Sequence, residues 1–163
     1  MISITQLLFV LGALAPTYAV PPSFFVLLLD DMGWANVGFH SPNSTEVVTP
    51  NLDALAAEGV ILERFYTHKF CAPSRCALQS GRHPIHVNVL NSPLNQHNPR
   101  DRVSGYMGIP RNFTGIAEKL KAANYSTKMW GKWDSGMAVE EQTPRGRGPA
   151  RVRHVPGLPL CSK

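Results

Sequence analysis

Residues 24–29, Phe-Phe-Val-Leu-Leu-Leu, form an unbroken apolar run with Pro21 and Pro22 before it and Asp30 and Asp31 after it. A run without polar alternation is expected to be a strand buried on both faces, as in the middle of a parallel sheet covered by helices. It also sets two adjacent carboxylates at the C-terminal end of that strand, which is where α/β folds place their sites.

The rest of the chain continues the alternation. Thr49 as N-cap, Pro50 at the first helical position, Leu52, Leu55 and Ala56 on one face and Gly59 as the stop predict a helix. Residues 60–68, Val-Ile-Leu-Glu-Arg-Phe-Tyr-Thr-His, read as a short strand or extended segment leading into Cys71. A second helix is expected from Ser74, opened by Pro73 and Ser74 and closed by Gly81. A third starts near Thr114 with Ile116, Ala117 and Leu120 on its apolar face, and a strand follows through about Trp130. Strand, helix, strand, helix, strand is the order of an α/β fold with a largely parallel sheet flanked by helices. Residues 97–112 lack periodicity and read as a long surface loop. From Gln142 onward the chain is rich in Pro, Gly and Arg, with too few large apolar residues to hold a fold, and residues 149–163 are expected to be a disordered basic tail. A chain of 163 residues has room for one domain with a real core.

The formal net charge of +5 suggests an anionic partner until its position is considered. Residues 1–142 hold 11 basic and 11 acidic side chains, and residues 143–163 hold the other five basic ones with no acid. Neither nucleic acid nor a membrane surface is therefore implied as a partner. Residues 1–19 carry an apolar run from Leu7 to Ala15 and end in Thr17-Tyr18-Ala19, the pattern of a secretory signal cleaved after Ala19; the run is shorter than the ~20 residues that cross a bilayer. Sequons at Asn43, Asn112 and Asn124 suit a glycosylated product of that pathway. Three cysteines in an oxidising compartment leave at least one unpaired.

Adjacent carboxylates raise each other's pKa unless a cation neutralises them, so Asp30 and Asp31 are either ligands of a hard divalent ion or a solvated turn. Cys71 can be a thiolate activated by a helix N-terminus and Arg75, or, with awkward geometry, a disulfide partner of Cys76. Neither reading explains the residues that follow it. Cys71-Ala-Pro-Ser-Arg, four residues and then Ser-Gly-Arg resembles the signature of the sulfatase family. Leu-Leu-Leu-Asp-Asp-Met-Gly-Trp at residues 27–34 resembles that family's first strand and metal-binding Asp pair, and Gly-Lys-Trp-Asp at residues 131–134 its third element.

The resemblance covers about residues 21–148 and implies the alkaline-phosphatase-like sulfatase fold. It implies that Cys71 is oxidised in the endoplasmic reticulum to formylglycine (3-oxoalanine) by the formylglycine-generating enzyme, which reads Cys71, Pro73 and Arg75. One hydroxyl of the aldehyde hydrate would attack the sulfur of a small-molecule or carbohydrate sulfate ester, and the other would expel sulfate. One Ca²⁺ would sit on Asp30, Asp31 and an oxygen of residue 71, with Arg75 orienting the hydrate and Lys132 on the sulfate oxygens. Such a protein is a sulfuric ester hydrolase, secreted or lysosomal.

Two departures accompany the resemblance. Asp134 stands where most members have a histidine that hydrogen-bonds the hydrate. Family members are also several times longer, so this chain is expected to be a truncated N-terminal part of a catalytic domain, and a catalytically inactive fragment with an incomplete metal site is the alternative. Phosphatase and phosphodiesterase relatives use Ser or Thr with two metals, which Cys-x-Pro-Ser-Arg argues against. None of the six histidines shows a metal-ligand spacing, although His68 and His83 flank the motif.

Overall fold

The computed structural model describes residues 20–87, 97, 105–148 and 151–153; the signal segment, Cys161 and most of the basic tail lie outside the described residues. Along the chain come a 3-10 turn at Gly38–His40, helices α1 (Pro50–Glu58), α2 (Cys71–Ser80), α3 (Pro84–Val87) and α4 (Ile116–Ala122), strand β1 (Lys128–Trp130), a 3-10 turn at Glu140–Gln142, and strand β2 (Arg151–Arg153).

Helix α1 starts at Pro50 and stops at Gly59 as the sequence predicts. Thr49 does not cap the helix backbone through its side chain. Its hydroxyl instead accepts from the Gly38 N–H at 2.7 Å and donates to Asp53 at 2.9 Å. The Asp53 carboxylate also accepts from the Phe39 N–H at 3.0 Å, so the start of α1 clamps the first 3-10 turn. Of the expected apolar face, Leu52 and Ala56 are half-buried and Leu55 is exposed.

Helix α2 begins at Cys71, three residues before the expected start at Ser74. Proline lacks only an N–H that the first helical turn leaves unbonded anyway, so Pro73 fits inside that turn as well as at its first position. Ser74 turns back instead, donating to the carbonyls of His68 at 2.7 Å and Phe70 at 2.8 Å. Gly81 ends the helix in the left-handed conformation, φ 65°, where a Cβ would be strained. Helix α4 opens at Gly115, whose N–H is taken by the Glu118 carboxylate.

The buried centre joins α2 and α3 to the segment before α4: Cys76, Val87 and Ile109 pack together, with Phe113 against them. Ile109 comes from the stretch expected to be a surface loop, and that expectation is corrected here. Arg147 holds the segment down, and Trp133 closes the loop beside it. The Arg147 guanidinium donates to the carbonyls of Phe113 and Ile109. The buried Trp133 indole N–H bridges the carbonyls of Gly136 and Gln142 at 2.9 and 3.0 Å. Gly108 lies against this loop at φ +140°, and a Cβ there would sit 2.7 Å from the Gly136 Cα and 2.8 Å from the Ser135 carbonyl oxygen. Gly108→Ala is expected to lower stability by about 2–4 kcal/mol, read from the midpoint of urea unfolding, because both the dihedral and the contact are with backbone that cannot rotate away.

Strand β1 pairs in parallel with β2, Met129 opposite Val152. Arg151–Arg153 thus adopts a regular ladder within the stretch expected to hold no fold. The short strand offered for residues 60–68 is absent: residues 60–67 are exposed and without regular structure, with a turn in which the Phe65 N–H donates to the Leu62 carbonyl at 3.4 Å.

The expected strand at residues 24–29 is also corrected. These residues carry no ladder, and their side chains are 38–85% exposed. They nonetheless run alongside residues 125–132 in the same direction. The Phe24 ring lies 5.6 Å from that of Tyr125 at one end, and Asp30 lies 3.1 Å from the Lys132 ammonium at the other. Among the described residues no element covers either face, so the apolar run is not buried.

Candidate active site

The site forms where three chain segments end together: the apolar run at Asp30 and Asp31, the N-terminus of α2 at Cys71, and the loop after β1 at Lys132. Arg75 ties them. Its side chain is 10% exposed, one guanidinium nitrogen donates to the Lys132 carbonyl at 2.7 Å, and the other donates to Asp30 at 3.0 Å. The Lys132 ammonium donates to the second Asp30 oxygen at 3.1 Å. Asp30 is therefore held between two cations contributed by segments far apart in sequence.

These contacts set the charges. Burial alone would push the Asp30 carboxyl up, but the hydrogen bonds and charges of Arg75 and Lys132 outweigh it and hold it below the usual carboxylate range. Burial would push the Lys132 ammonium down; its bonds to Asp30 and to the Cys71 thiol outweigh that and hold it above an ordinary lysine. Lys132 thus stays charged beside Cys71.

Cys71 is the first residue of α2 and half-buried, at the end where the helix backbone presents partial positive charge. Ligand atoms of Asp30, Asp31 and Cys71 all lie within 4.8 Å of one another. That span suits ligand atoms gathered around one hard cation. Asp31 is held at φ 54°, a left-handed conformation that turns the chain sharply after the apolar run, and its carboxylate makes no hydrogen bond or ion pair among the described residues. An open cleft of about 1060 Å³ includes Asp30, Asp31, Cys71 and Arg75 in its wall, together with Trp34 and His68.

Asp134 stands behind this group, outside the cleft wall. It is 2% exposed, held at φ 51°, and its nearest charge is the Lys132 ammonium at 3.8 Å. One carboxylate oxygen is buried without a hydrogen bond. Burial pushes this carboxyl up, Lys132 and Arg75 pull it down, Asp30 pushes it further up, and the net is a raised pKa. The unfolded side chain ionises at its ordinary value and the folded one only above it, so between the two the folded state binds more protons and stability falls as pH rises. Asp134→Asn, which the left-handed backbone also accepts, is expected to match the parent below pH ~4 and to exceed it at neutral pH by on the order of 1 kcal/mol. Urea midpoints of the two proteins across that range check this.

Cys71 and Cys76 are both free thiols, which removes the disulfide reading. Cys76 is fully buried, and burial pushes its thiol up to about 12, leaving it inert. The flanking histidines stay outside the cation group: His83 accepts from the Ile85 N–H at 3.4 Å at the start of α3, while the His68 ring lines the cleft. Sequence reasoning missed Trp133 as the anchor of the Lys132 loop. The tryptophan inside Gly-Lys-Trp-Asp was the available signal, since an indole there needs a partner for its N–H.

The family model described as Sulfatase matches residues 22–157. N-acetylgalactosamine-6-sulfatase of Rattus norvegicus is 40% identical over 127 residues, covering 77% of this chain and 24% of its own. Arylsulfatase A of Homo sapiens is 38% identical over 132 residues, covering 78% of this chain and 24% of its own. Among solved structures, Ps i-CgsB in complex with k-i-k-neocarrahexaose superposes with a TM-score of 0.58 at 31% identity, over 77% of this chain and 26% of that one. The chain spans about a quarter of the length of the curated relatives it matches. With its cysteine signature, its carboxylate pair and its Gly-Lys-Trp element all within the matched residues 22–157, the chain belongs to the sulfatase family.

Proposed function

We propose that this cleft serves the hydrolysis of a small-molecule or carbohydrate sulfate ester, with residue 71 as the nucleophile after oxidation of its thiol to formylglycine. The observation that carries the reading is the Asp30, Asp31 and Cys71 group, with the Lys132 ammonium on Asp30. Asp30, Asp31 and an oxygen on residue 71 would hold a hard divalent cation, Ca²⁺ by the family resemblance, and that ion would supply positive charge to the sulfate oxygens and the attacking hydroxyl. Lys132, charged and beside residue 71, binds a sulfate oxygen. Arg75 fixes Asp30 and the Lys132 backbone in place, and the N-terminus of α2 favours an anion at the same point. Asp134 acts through Lys132, holding the ammonium from behind, where the family histidine would touch the hydrate itself. The signal segment delivers the chain to the compartment where the formylglycine-generating enzyme works, and the product is secreted or lysosomal.

A second reading concerns activity. Among the described residues the cation group offers two carboxylates and residue 71, short of the roughly six to eight oxygens that calcium takes, and both Asp30 oxygens already face cations. This chain by itself is expected to acquire the aldehyde and not to turn over. Co-expression with the formylglycine-generating enzyme, followed by an aryl sulfate assay with Ca²⁺, decides it. Turnover lost in Cys71→Ala makes this chain an active enzyme; an aldehyde without turnover leaves it an inactive fragment.

A further inference from the structure

We infer that Trp34, backed by His40, receives the organic part of the ester, and that the part it selects is a flat aryl ring rather than a sugar. The inference rests on the sulfate-ester reading of the cleft given above. Trp34 follows the carboxylate pair by three residues, so its Cα lies at most about 11 Å from that of Asp31. Asp31, Trp34 and Cys71 line the same cleft, which puts the indole within reach of a ring attached to a sulfate at residue 71.

The indole is held in a fixed place. A tight turn carries it: the Asn36 N–H donates to the Gly33 carbonyl at 3.0 Å, and the Gly33 N–H donates to the Asn36 side-chain oxygen at 2.7 Å. The His40 ring stacks on it, with centroids 3.9 Å apart and planes 12° from parallel. His40 Nδ1 lies 2.9 Å from the Trp34 carbonyl oxygen, and because a carbonyl only accepts, that nitrogen carries the proton. His40 Nε2 lies 3.4 Å from a Glu63 carboxylate oxygen, and the Phe39 ring meets the imidazole edge-on at 4.5 Å. The clamp of Thr49 and Asp53 on Gly38 and Phe39 fixes the turn from which His40 projects. One indole face is thus covered, yet Trp34 is 61% exposed, so the second face is open. An aromatic face set in place beforehand costs a ligand little ordering.

The rest of the wall favours an aryl ring. It includes Leu28, Leu62 and Phe65, all with exposed apolar surface. Of its charged residues, Glu63 faces His40 and Lys69 lies over the Phe70 ring. Sugar hydroxyls lose water against apolar side chains without gaining a partner. An aryl ring brings no hydroxyls to desolvate and stacks offset on the indole.

The test reads binding in the whole chain with Cys71 unoxidised, so that no ester is cleaved while it binds. Phenyl sulfate, methyl sulfate and galactose 6-sulfate are titrated with Ca²⁺ present, by ligand-observed NMR, against the parent, Trp34→Ala, Trp34→Phe and His40→Ala. Phenyl sulfate is expected to bind about tenfold more weakly to Trp34→Ala and to recover most of that loss in Trp34→Phe. In His40→Ala the indole remains but is no longer held, and the expected loss is about threefold. Methyl sulfate has the anion without the ring and should bind all these proteins alike, which a general loss of structure would not allow. Phenyl sulfate bound equally by the parent and Trp34→Ala, or not bound by the parent, overturns the stacking site; so does a parallel fall for methyl sulfate. Galactose 6-sulfate bound by the parent as tightly as phenyl sulfate overturns the choice of ring. If Trp34-dependent binding of phenyl sulfate is found in a parent that ignores methyl sulfate, the ring site stands and the sulfate-ester reading of the cleft falls.

Discussion

Arg75→Ala is expected to lower the unfolding free energy by about 3 kcal/mol, since a nearly buried guanidinium loses a charged hydrogen bond to Asp30 and one to the Lys132 carbonyl, and its stem leaves a gap. For a domain whose whole stability is roughly 5–15 kcal/mol, that is a large fraction. The effect should exceed that of removing Asp30, because the two ends of the ion pair are not equivalent. The Arg75 side chain is 10% exposed and the Asp30 side chain 43% exposed, so water replaces much of what Asp30 loses and little of what Arg75 loses. Arg75→Lys should recover only part, because an ammonium is a point charge where the site uses a fork that bonds two segments at once. Urea midpoints of the three proteins decide it. An unchanged midpoint for Arg75→Ala would mean that the arginine does not tie α2 to the two loops.

Asp30→Asn is expected to do the reverse: stability changes by on the order of 1 kcal/mol or less, while cation binding falls by more than the ~10–100-fold that loss of an outer-shell partner costs a metal site. The amide keeps the shape and an acceptor oxygen but removes the negative charge facing Asp31. Terbium luminescence sensitised by the tryptophan in the cleft wall, Trp34, reports binding to the chain as it stands. Asp31→Asn, which disturbs neither Arg75 nor Lys132, should give the same loss. If both variants bind terbium like the parent, the carboxylate pair is a solvated turn and the cation assignment is wrong.

These variants sort the residues by how they could be read. The Cys71 motif, the carboxylate pair and Gly-Lys-Trp-Asp are local patterns, and the chain brings all three to one place. Helix α1 was legible for similar reasons, since Pro50 and Gly59 act over a few residues, and strand β1 was expected from its place after the third helix. The start of α2 was misplaced because proline is compatible with several positions of a first turn. Residues 24–29 announce burial, but burial depends on elements from elsewhere in the chain, and among the described residues nothing covers them. Ile109, Gln142 and Arg147 were missed for a third reason. Ile109 sits alone in an aperiodic stretch, while Gln142 and Arg147 are polar residues buried by bonds to or from carbonyls distant in sequence, and hydrophobic periodicity carries no trace of that. Asp134 was singled out, yet its position behind Lys132 emerged only from the geometry.

The identity of residue 71 after passage through the secretory pathway bears on everything proposed for the cleft. Trypsin cutting after Lys69 and Arg75 releases Phe-Cys-Ala-Pro-Ser-Arg, a peptide small enough for the side chain of residue 71 to be read directly by mass spectrometry. From chain co-expressed with the formylglycine-generating enzyme, the expected peptide has lost its sulfur, carries an aldehyde that reacts with hydroxylamine, and is absent from Cys71→Ala. An intact thiol throughout, in a chain whose signal segment has been removed, would contradict it.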